Sequence, residues 1–568
     1  MIDLMNMIAL DKTFLLTATV LLSGLSFGST FHVQTSGRDS NDGSAAKPFA
    51  TVSRAVRALR EVRAAKPSEP VTISLGAGTH FLDQTVGLTA ADTTAPVVFE
   101  GAGKGKTVVS GGRRLSDWRT GTDGRSWTVT IPEVTNGTWR IEQLYVNGRR
   151  ALRPTLPRDG YFVAAGKAPG CTNALPDRFT AAAGDIDAAW TDLTNGVEFV
   201  AMHGWNISRL RVKSYDPETR GVVLSGGRPG YMRTFDAKST YRLENVRAAY
   251  GEVPGEWYCD RTTGLLSYYP LADEDARTSE VIAPCLPTLF ALAGKPGEPV
   301  RNVTFRGLTF AHQAEVLVPQ GTTYHQVSTE AGGAIRCDYA ADVLIAKCDV
   351  RHTGGWAVQF AAGCERCAVE DGTLFDLGAG GVQIGVTDGR ARRGTPMWSH
   401  ACRVERCLIS GYGRIQPGAT GVGIVYAGDN LVRRNTIRDG YYTGVNVGYG
   451  WNYGNTAPGG NIVEGNHIYE IGQQVLSDMA GIYTLGEQPG TVLRGNLIHD
   501  LTQARYGAHG LYFDNSSSYI TVSNNVITRC TEGGAKIGGL SKHLLLANNI
   551  FLFGKEYVFW PCADKERA

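Results

Sequence analysis

Apolar and polar positions recur in one short pattern along the carboxyl-terminal part of the chain. Each unit has an apolar residue, two variable residues, an asparagine, one variable residue and a second apolar residue. Steps of 31, 30, 29 and 24 residues separate the asparagines, which are Asn435, Asn466, Asn496, Asn525 and Asn549. Such a period is typical of repeat proteins, because each unit is too small to bury its own apolar face. The strand-like content of the units predicts an all-β protein, a right-handed parallel β-helix.

The two apolar positions predict two interior columns of stacked side chains. The same strand of successive coils lies about 4.8 Å apart, so equivalent positions stack. The expected columns are Val432, Val463, Leu493, Val522 and Leu546, and Ile437, Ile468, Ile498, Ile527 and Phe551. The template continues upstream around Leu308, Cys348, Gly372 and Cys407. This makes about nine coils in phase, which isolated amphipathic helices would not produce.

The asparagine column is predicted to be structural rather than catalytic. Burying an amide is costly unless its donors and acceptors are paired. At a turn, an asparagine can bond the backbone and the asparagine of the next coil, and it tolerates a left-handed bend. We therefore expect a ladder of paired amides.

Residues 1–29 are predicted to be a secretory signal peptide. Lys12 precedes an apolar run from Thr13 to Phe27 that is too short to cross a bilayer, and small residues follow it. The alternative is an uncleaved anchor. We expect a secreted or periplasmic protein without membrane contact after cleavage, since no other segment is long and apolar enough to span a bilayer.

Two regions are predicted ahead of the main repeat. Residues 30–110 would form an amino-terminal cap and the first coils, with a helix that plugs the core through Ala55, Val56, Leu59 and Val62. Residues 111–290 hold six of the ten Trp and place strands at hairpin spacing, which predicts an inserted β-sandwich-like domain.

Residues 291–568 are predicted to form the main β-helix, which carries the functional face. No capping segment follows the last coil, ANNIFLFG. An uncapped end exposes apolar core and an open strand edge. We therefore expect this end to be truncated and the segment from Tyr557 to Trp560 to pack poorly.

Composition and cysteine usage narrow the possible partners. The chain has 71 Gly among 568 residues, as expected for a chain with many turns, and its net charge is only +2. Because no basic stripe is present, nucleic acid is not an expected partner. Cys364 and Cys367, together with Cys402 and Cys407, have zinc-like spacing, but Cys407 falls in the inward column where cysteine acts as a small hydrophobe. No metal or other cofactor is expected.

Cys367 and Cys402 each lie five residues before a ladder position. They should therefore stack on adjacent coils, with Cα atoms about 5 Å apart, which is within disulfide range. A disulfide or a direct thiol contact is expected there.

Five segments of the chain resemble the right-handed β-helix enzymes of glycoside hydrolase family 141. They are GRDSNDGSAAKPFATVSRAV near the amino terminus, LYVNGRRALRP at 144–154, GEWYCDRTTGLLSYYP at 255–270, DMAGIYTLGEQPGTV at 478–492 and HGLYFDNSSSYI at 509–520. The resemblance implies a secreted glycoside hydrolase, with α-L-fucosidase and endo-xylanase among the family's activities. It also implies that Asp478 and Asp514 are the catalytic pair. The chain departs from the family at Asn515, where an acidic residue is frequent, and at 533–539, where the family is often rich in His.

Glycoside hydrolysis needs two carboxylates about 5–5.5 Å apart for retention, or about 6.5–9.5 Å apart for inversion. Asp478 lies 18 residues before its ladder asparagine and Asp514 lies 11 before its own. Along straight strands this offset is roughly 23 Å, so a bent entry loop at 472–480 must close it. Glu487 lies nine residues before its ladder asparagine. It would be roughly 8 Å from Asp514 and is the geometric alternative.

Aromatic side chains on the same face are candidates for binding sugar rings. They are Tyr449, Trp451, Tyr453, Tyr483, His509 and Tyr512. The segment at 448–455 is too polar and rich in Gly for a core, which favours a loop that forms a wall of a cleft. A polysaccharide or oligosaccharide is the expected partner.

Two other functions remain open on the same fold. A polysaccharide lyase would use a basic residue against a uronate, and Lys536 lies near Asp514 in register. No acidic cluster suggests calcium and no basic groove suggests a polyanion. A carbohydrate-binding or adhesion protein without catalysis would need the aromatic residues but no competent carboxylate pair.

Overall fold

The computed structural model describes residues 28–561, except 174–175, 195, 227–234, 316–317, 319 and 455–458. Most of the predicted signal segment therefore lies outside the described residues. The described chain is a parallel β-helix whose coils have three faces. The predicted fold is confirmed.

Each face is a ladder of parallel strands that joins the same position of successive coils. The first face comprises Val86–Leu88, Phe290–Ala293, Gly333–Asp338, Trp356–Phe360, Val382–Gly385, Val422–Val425, Val445–Val447, Gly533–Ile537 and Tyr557–Trp560. The second face comprises Ser29–Val33, Val71–Leu75, Val97–Gly101, Val303–Arg306, Leu344–Ala346, Ala368–Glu370, Arg403–Glu405, Leu431–Arg433, Ile462–Glu464 and Lys542–Ala547. Two long strands, Met479–Arg494 and Ala508–Ser523, bend around the corner and belong to both faces.

The third face closes each coil. It comprises Gly78–Phe81, Thr107–Ser110, Thr309–Ala311, Asp349–Thr353, Thr373–Leu377, Leu408–Tyr412, Thr436–Gly440, His467–Ile471, Leu497–Leu501, Val526–Cys530 and Ile550–Leu552. Strand register confirms both predicted apolar columns. Val432 pairs with Val463 on the second face, and Ile437 pairs with Ile468 on the third. Upstream, Phe305 and Phe310 occupy the same columns.

The asparagines form the predicted ladder at the corner between the second and third faces. Asn466 donates to Val432 O at 2.9 Å and to Asn496 Oδ1 at 3.0 Å, and its own Oδ1 accepts from Asn435 N at 3.0 Å. The left-handed bend belongs instead to the residue before each asparagine, as at Arg434 with φ of 54°. This placement lets the asparagine side chain turn inward toward the backbone amides of the neighbouring coil.

A helix covers the amino-terminal end of the core. It spans Val52–Ala65, and its predicted apolar face packs on the first coils, with Ala55, Val56 and Leu59 buried and Val62 partly buried. The Thr51 side chain accepts from Arg54 N at 3.1 Å and caps the helix. Four residues at Ala90–Thr93 form a 3₁₀ turn nearby.

Antiparallel sheets interrupt the parallel ladders between Thr107–Ser110 and Phe290–Ala293, and one further strand, Gly321–Thr323, joins them from beyond this interval. Two are four-stranded: Gly112–Leu115, Tyr145–Val146, Arg149–Arg150 and Val281–Pro284 form one, and Arg119–Thr120, Trp127–Thr130, Trp257–Cys259 and Leu265–Tyr268 form the other. The largest contains Thr155–Leu156, Phe162–Val163, Arg178–Thr180, Glu198–Met202, Ile207–Asp216, Gly221–Ser225, Thr240–Glu244 and Gly321–Thr323. Short helical turns lie at Pro132–Thr135 and Arg247–Ala249.

Two paired arginines, one of them buried, attach these sheets to the side of the β-helix. Arg150 bonds Asp376 at 2.9 Å and Thr353 O at 2.8 Å. Arg209 bonds Glu244 at 2.7 Å within the largest sheet and reaches Ile415 O of the β-helix at 3.0 Å. Because a buried charge is tolerated only when paired, this network fixes the position of the inserted sheets.

The predicted contact between Cys367 and Cys402 exists as free thiols. Ala368 pairs with Arg403, which places the two cysteines at the same level of adjacent coils. Both are unbonded and buried, and their thiols hydrogen-bond each other. The structure contains no disulfide between Cys367 and Cys402.

The last described coil is more exposed than the rest. In the strand Tyr557–Trp560, Val558, Phe559 and Trp560 are exposed, and so is Phe553 before it. None of the helices in the described part of the chain is long and apolar enough to span a membrane.

The asparagine ladder leads to a stability prediction. Asn466→Ala should lower the free energy of unfolding by about 3 kcal/mol, because buried donors on Asn435 and the carbonyl of Val432 lose their partners. Asn549→Ala is the matched control at the half-buried end of the ladder, where water can replace the amide, and should cost about 1 kcal/mol or less. Urea denaturation of both variants measures this, and equal losses would contradict it.

Candidate active site

Asp478 stands at the bend that begins the long strand Met479–Arg494. The preceding strand ends at Ile471, and the chain turns through 472–477 before Asp478 adopts a left-handed φ of 59°. Aspartate is one of the few side chains that tolerate this conformation. This bend lies within residues 472–480, the segment in which the sequence predicts a bent entry loop.

Asp514 lies on the next coil, in the strand Ala508–Ser523. It pairs with Leu485, and its side chain points to the outer surface of the first face beside Tyr483. Both aspartates are half-buried. They therefore remain reachable by a ligand while being shielded from bulk water.

Two tyrosines hold the aspartates in a crossed arrangement. Tyr483 donates to Asp514 Oδ2 of the next coil at 2.5 Å, and Tyr512 hydrogen-bonds Asp478 of the preceding coil. The two rings are in register and meet edge to face, with centroids 5.0 Å apart. Each carboxylate is thus oriented by a buried phenol from the neighbouring coil.

A glycine on the following coil allows the backbone to pass close to each aspartate. Gly507 has φ of 77°, and a Cβ there would lie 2.7 Å from Asp478 Cα. A Cβ on Gly538 would lie 2.8 Å from Asp514 Oδ1. Larger residues at either position would displace the carboxylates.

The electrostatics separate the two carboxyl groups. Burial, followed by the negative charge of Asp514, raises the pKa of Asp478 to about 6. Lys536 and the hydrogen bond from Tyr512 act in the opposite direction. The charge of Asp514 thus acts on Asp478 from the next coil, although the two residues lie seven positions apart along the strands.

Three further groups surround the pair. The Lys536 ammonium lies 4.8 Å from the centre of the Tyr512 ring. Glu532 accepts from Gly507 N and adds a second negative charge near Asp478. His509 is fully buried and bonds Tyr557 at 2.7 Å, and burial, together with Lys536, lowers the pKa of His509 to about 3.

Glu532 and Tyr442 were not among the residues predicted from the sequence. Glu532 lies 17 residues before Asn549, nearly the same offset as Asp478 from its own ladder asparagine, so the register could have identified it. Tyr442 donates to Asp478 O at 2.9 Å. No pattern in the sequence points to Tyr442, because its contact depends on the turn before Val445–Val447.

Glu487, the geometric alternative, has a different environment. It pairs with Ser518 beyond an irregularity in the ladder, and its carboxylate accepts from Gly454 N at 3.0 Å. It thereby holds the loop at 448–454 rather than joining the tyrosine-bound pair.

The predicted sugar-binding aromatics differ in exposure. Trp451 is 38% exposed and stands edge to face against Tyr449, which is buried. Tyr453 is half-buried, with Lys542 over its ring. Tyr483, Tyr512 and His509 are also buried. Of the six, Trp451 offers the most open ring face, and the tyrosines of the pair act through their hydroxyls.

The inserted sheets border the site on one side. Ser477, next to Asp478, donates its amide to Gly204 O at 2.8 Å, and Arg505 reaches Lys238 O at 2.5 Å. Within the described residues, no group of three or more His, Cys, Asp or Glu is placed to hold a metal ion. We call the outer surface beside this pair, bordered on one side by the inserted sheets, the groove.

Comparison with known proteins supports the fold. Residues 398–551 match the family model "Right handed beta helix region", which also gives the handedness of the helix. A solved structure titled "Glycoside hydrolase" aligns with a TM-score of 0.80 and 21% identity, over 92% of this chain and 96% of that one. The structure titled "The complex structure of XylC with xylose" aligns with a TM-score of 0.52 and 13% identity, over 89% of this chain and 69% of that one.

No curated protein matches the chain in sequence. At 21% and 13% identity, the two structural likenesses establish a shared fold and not a shared reaction. Neither title names family 141, so membership of that family stays a prediction. What the comparisons establish is that the chain has the architecture of a right-handed parallel β-helix.

Proposed function

We propose that the protein is a glycoside hydrolase that cleaves a plant or other complex polysaccharide, with fucosidase-like or xylanase-like specificity. The observation that carries the proposal is the carboxylate pair Asp478 and Asp514, in which one member has a pKa raised to about 6. Glycoside hydrolysis requires one protonated and one ionised carboxyl group on either side of the bond. The signal-like segment at 1–29 supports an extracytoplasmic location as part of this proposal.

Asp478 is assigned as the general acid. Its raised pKa keeps a proton available near neutral pH for the oxygen of the leaving group. Asp514 is assigned as the nucleophile or general base, because the reaction needs a second carboxyl group and Tyr483 orients its Oδ2 by a hydrogen bond. Asn515, also within 3.5 Å of its Oδ2, supplies a neutral donor where the resembling family often has an acid.

A polysaccharide lyase is the second candidate, and the position of Lys536 beside Tyr512 favours it. A lyase base must approach a uronate, which carries its own negative charge. Asp514 and Glu532 act on the same side chain, Asp478, as this lysine does, and their negative charges would repel such a substrate. The charge balance therefore supports hydrolysis of a neutral sugar, and the absorbance of unsaturated products separates the two reactions.

Removing either carboxylate should abolish hydrolysis. Asp478→Asn and Asp514→Asn should each lower kcat/KM by about 10²- to 10⁴-fold, the usual contribution of an acid or base. The measurement is release of reducing sugar from a panel of xylans, pectins and fucosylated glycans. Glu487→Gln is the control and should retain most activity. If Glu487→Gln abolished activity while one of the aspartate variants retained it, Glu487 would replace that aspartate in the assigned pair.

The pH profile should report the proton on Asp478. Because the acid must be protonated and its pKa is about 6, kcat/KM should fall about tenfold per pH unit above that value. Steady-state kinetics between pH 4 and 9 measure this limb. A rate that stays constant up to pH 8 would exclude Asp478 as the acid.

The same group should destabilise the fold at high pH. Its pKa is about 6 in the folded state and near 3.8 when unfolded, so stability falls as pH rises through that interval. The loss amounts to about 3 kcal/mol. Asp478→Asn should therefore be more stable than the parent at pH 8 by up to about this amount, and lose that advantage near pH 4. Urea denaturation at both pH values tests this, and a pH-independent difference would contradict it.

A further inference from the structure

The outward side chains of the first face form one continuous column. Strand register aligns Gln359, Gln383, Gly423, Asn446, Tyr483, Tyr512, Lys536 and Trp560. Exposure changes sharply along it. Asn446 is 1% exposed and Tyr512 is 5% exposed, whereas Lys536 is half-buried and Trp560 is 48% exposed. Within the described residues, the outer surface is thus covered up to the aspartate pair and is more exposed on the two strands that follow it.

The cover is a segment at 324–332 that follows the strand Gly321–Thr323. Trp356 Nε1 donates to Ser328 O at 3.1 Å, and Gln359 Nε2 donates to Ala331 O at 3.0 Å. Val327 packs into an apolar cluster with Ala419, Val425 and Tyr449 on the outer surface. This cover is bonded to the coils below and fills the groove that they would otherwise leave open.

The cover is linked to the candidate acid through Tyr442. Gln326 O accepts from Tyr449 at 3.3 Å, and its side chain approaches Tyr442 at 3.4 Å. Tyr442 in turn donates to Asp478 O at 2.9 Å. Gln326, Tyr442 and Tyr449, which are all buried, therefore form a wall on the amino-terminal side of the pair.

We propose that the groove is blind on this side, so that the enzyme removes sugar units from a chain end instead of cutting within the chain. This inference rests on the proposed function and specifies its mode of attack. A glycan lying along the helix axis and crossing the pair would place its next unit in the volume that the cover and Tyr449 occupy. The inserted sheets at Gly204 close the flank beside Ser477 as well.

The chemistry balances as an ordinary hydrolysis at a terminal unit. The bond from the anomeric carbon to the glycosidic oxygen breaks, Asp478 gives its proton to that oxygen, and a water oxygen bonds to the anomeric carbon. One proton of that water stays on the new hydroxyl group of the released sugar, and the other returns to Asp478 by the end of the catalytic cycle. One terminal unit leaves, and the shortened chain must rebind before the next cleavage.

Product analysis of the full-length protein tests the mode of attack. Oligosaccharides labelled at either end should yield one low-mass product from the first turnovers. Cleavage of internal bonds should be about 100-fold slower or worse, because even one extra methylene against a packed wall can cost that much. A spread of product lengths at early times would overturn the proposal.

A paired substitution tests the wall itself. Tyr449→Ala should open the blind side and add products of internal cleavage, whereas Tyr449→Phe keeps the ring and should leave the product pattern unchanged. Thermal unfolding confirms that both variants are folded. If a folded Tyr449→Ala variant gave the same products as the parent enzyme, the wall would not determine the mode of attack, and the proposal would be overturned.

Binding separates this inference from the proposed hydrolysis. With Asp478→Asn, an oligosaccharide with free ends should bind about 100-fold more tightly than the same glycan blocked by bulky groups at both ends. Calorimetry measures this preference whether or not the parent enzyme hydrolyses that glycan. Equal affinity would overturn the blind groove, whereas end-selective binding without hydrolysis would overturn only the proposed reaction.

Discussion

Hydrogen bonding between successive coils at a buried corner is the constraint on which the rest of the structure depends. Each asparagine side chain accepts from a backbone amide of the preceding coil and donates to a carbonyl, as Asn435 does with Cys407 N at 2.9 Å and Val404 O at 2.9 Å. Without these amides, the corner would bury unpaired backbone groups. Over the coils from Cys407 to Asn549 the ladder bonds hold the register, and the register places the apolar columns and the outward side chains there.

The candidate site uses this register in a way that a single coil could not. Tyr483 and Tyr512 occupy one outward column, and each reaches an aspartate on the other's coil. A change of one coil against the next would break both pairs together. The burial of Asp478 beside the charge of Asp514 lowers stability as pH rises toward 6, and the bonds between the surrounding coils offset this cost.

Segments outside the repeat determine the shape of the groove. The inserted sheets are held by Arg150 and Arg209, and they bring Gly204 against Ser477. The cover at 324–332 closes the other side through Trp356 and Tyr449. The helix thus supplies the reactive groups, while irregular chain decides how much of a substrate can reach them.

The sequence by itself determined the coils, the asparagine ladder and the two apolar columns, because stacked coils repeat the same short pattern at a regular period. Asp478 and Asp514 were found through a family resemblance, and their offset of seven positions argued against a simple pairing. Only the tertiary structure decided their surroundings, since the left-handed bend at Asp478 and the tyrosine hydrogen bonds depend on contacts between coils. It alone also placed Tyr442, Glu532 and the cover beside them, because contacts between distant irregular segments leave no periodic trace in a sequence.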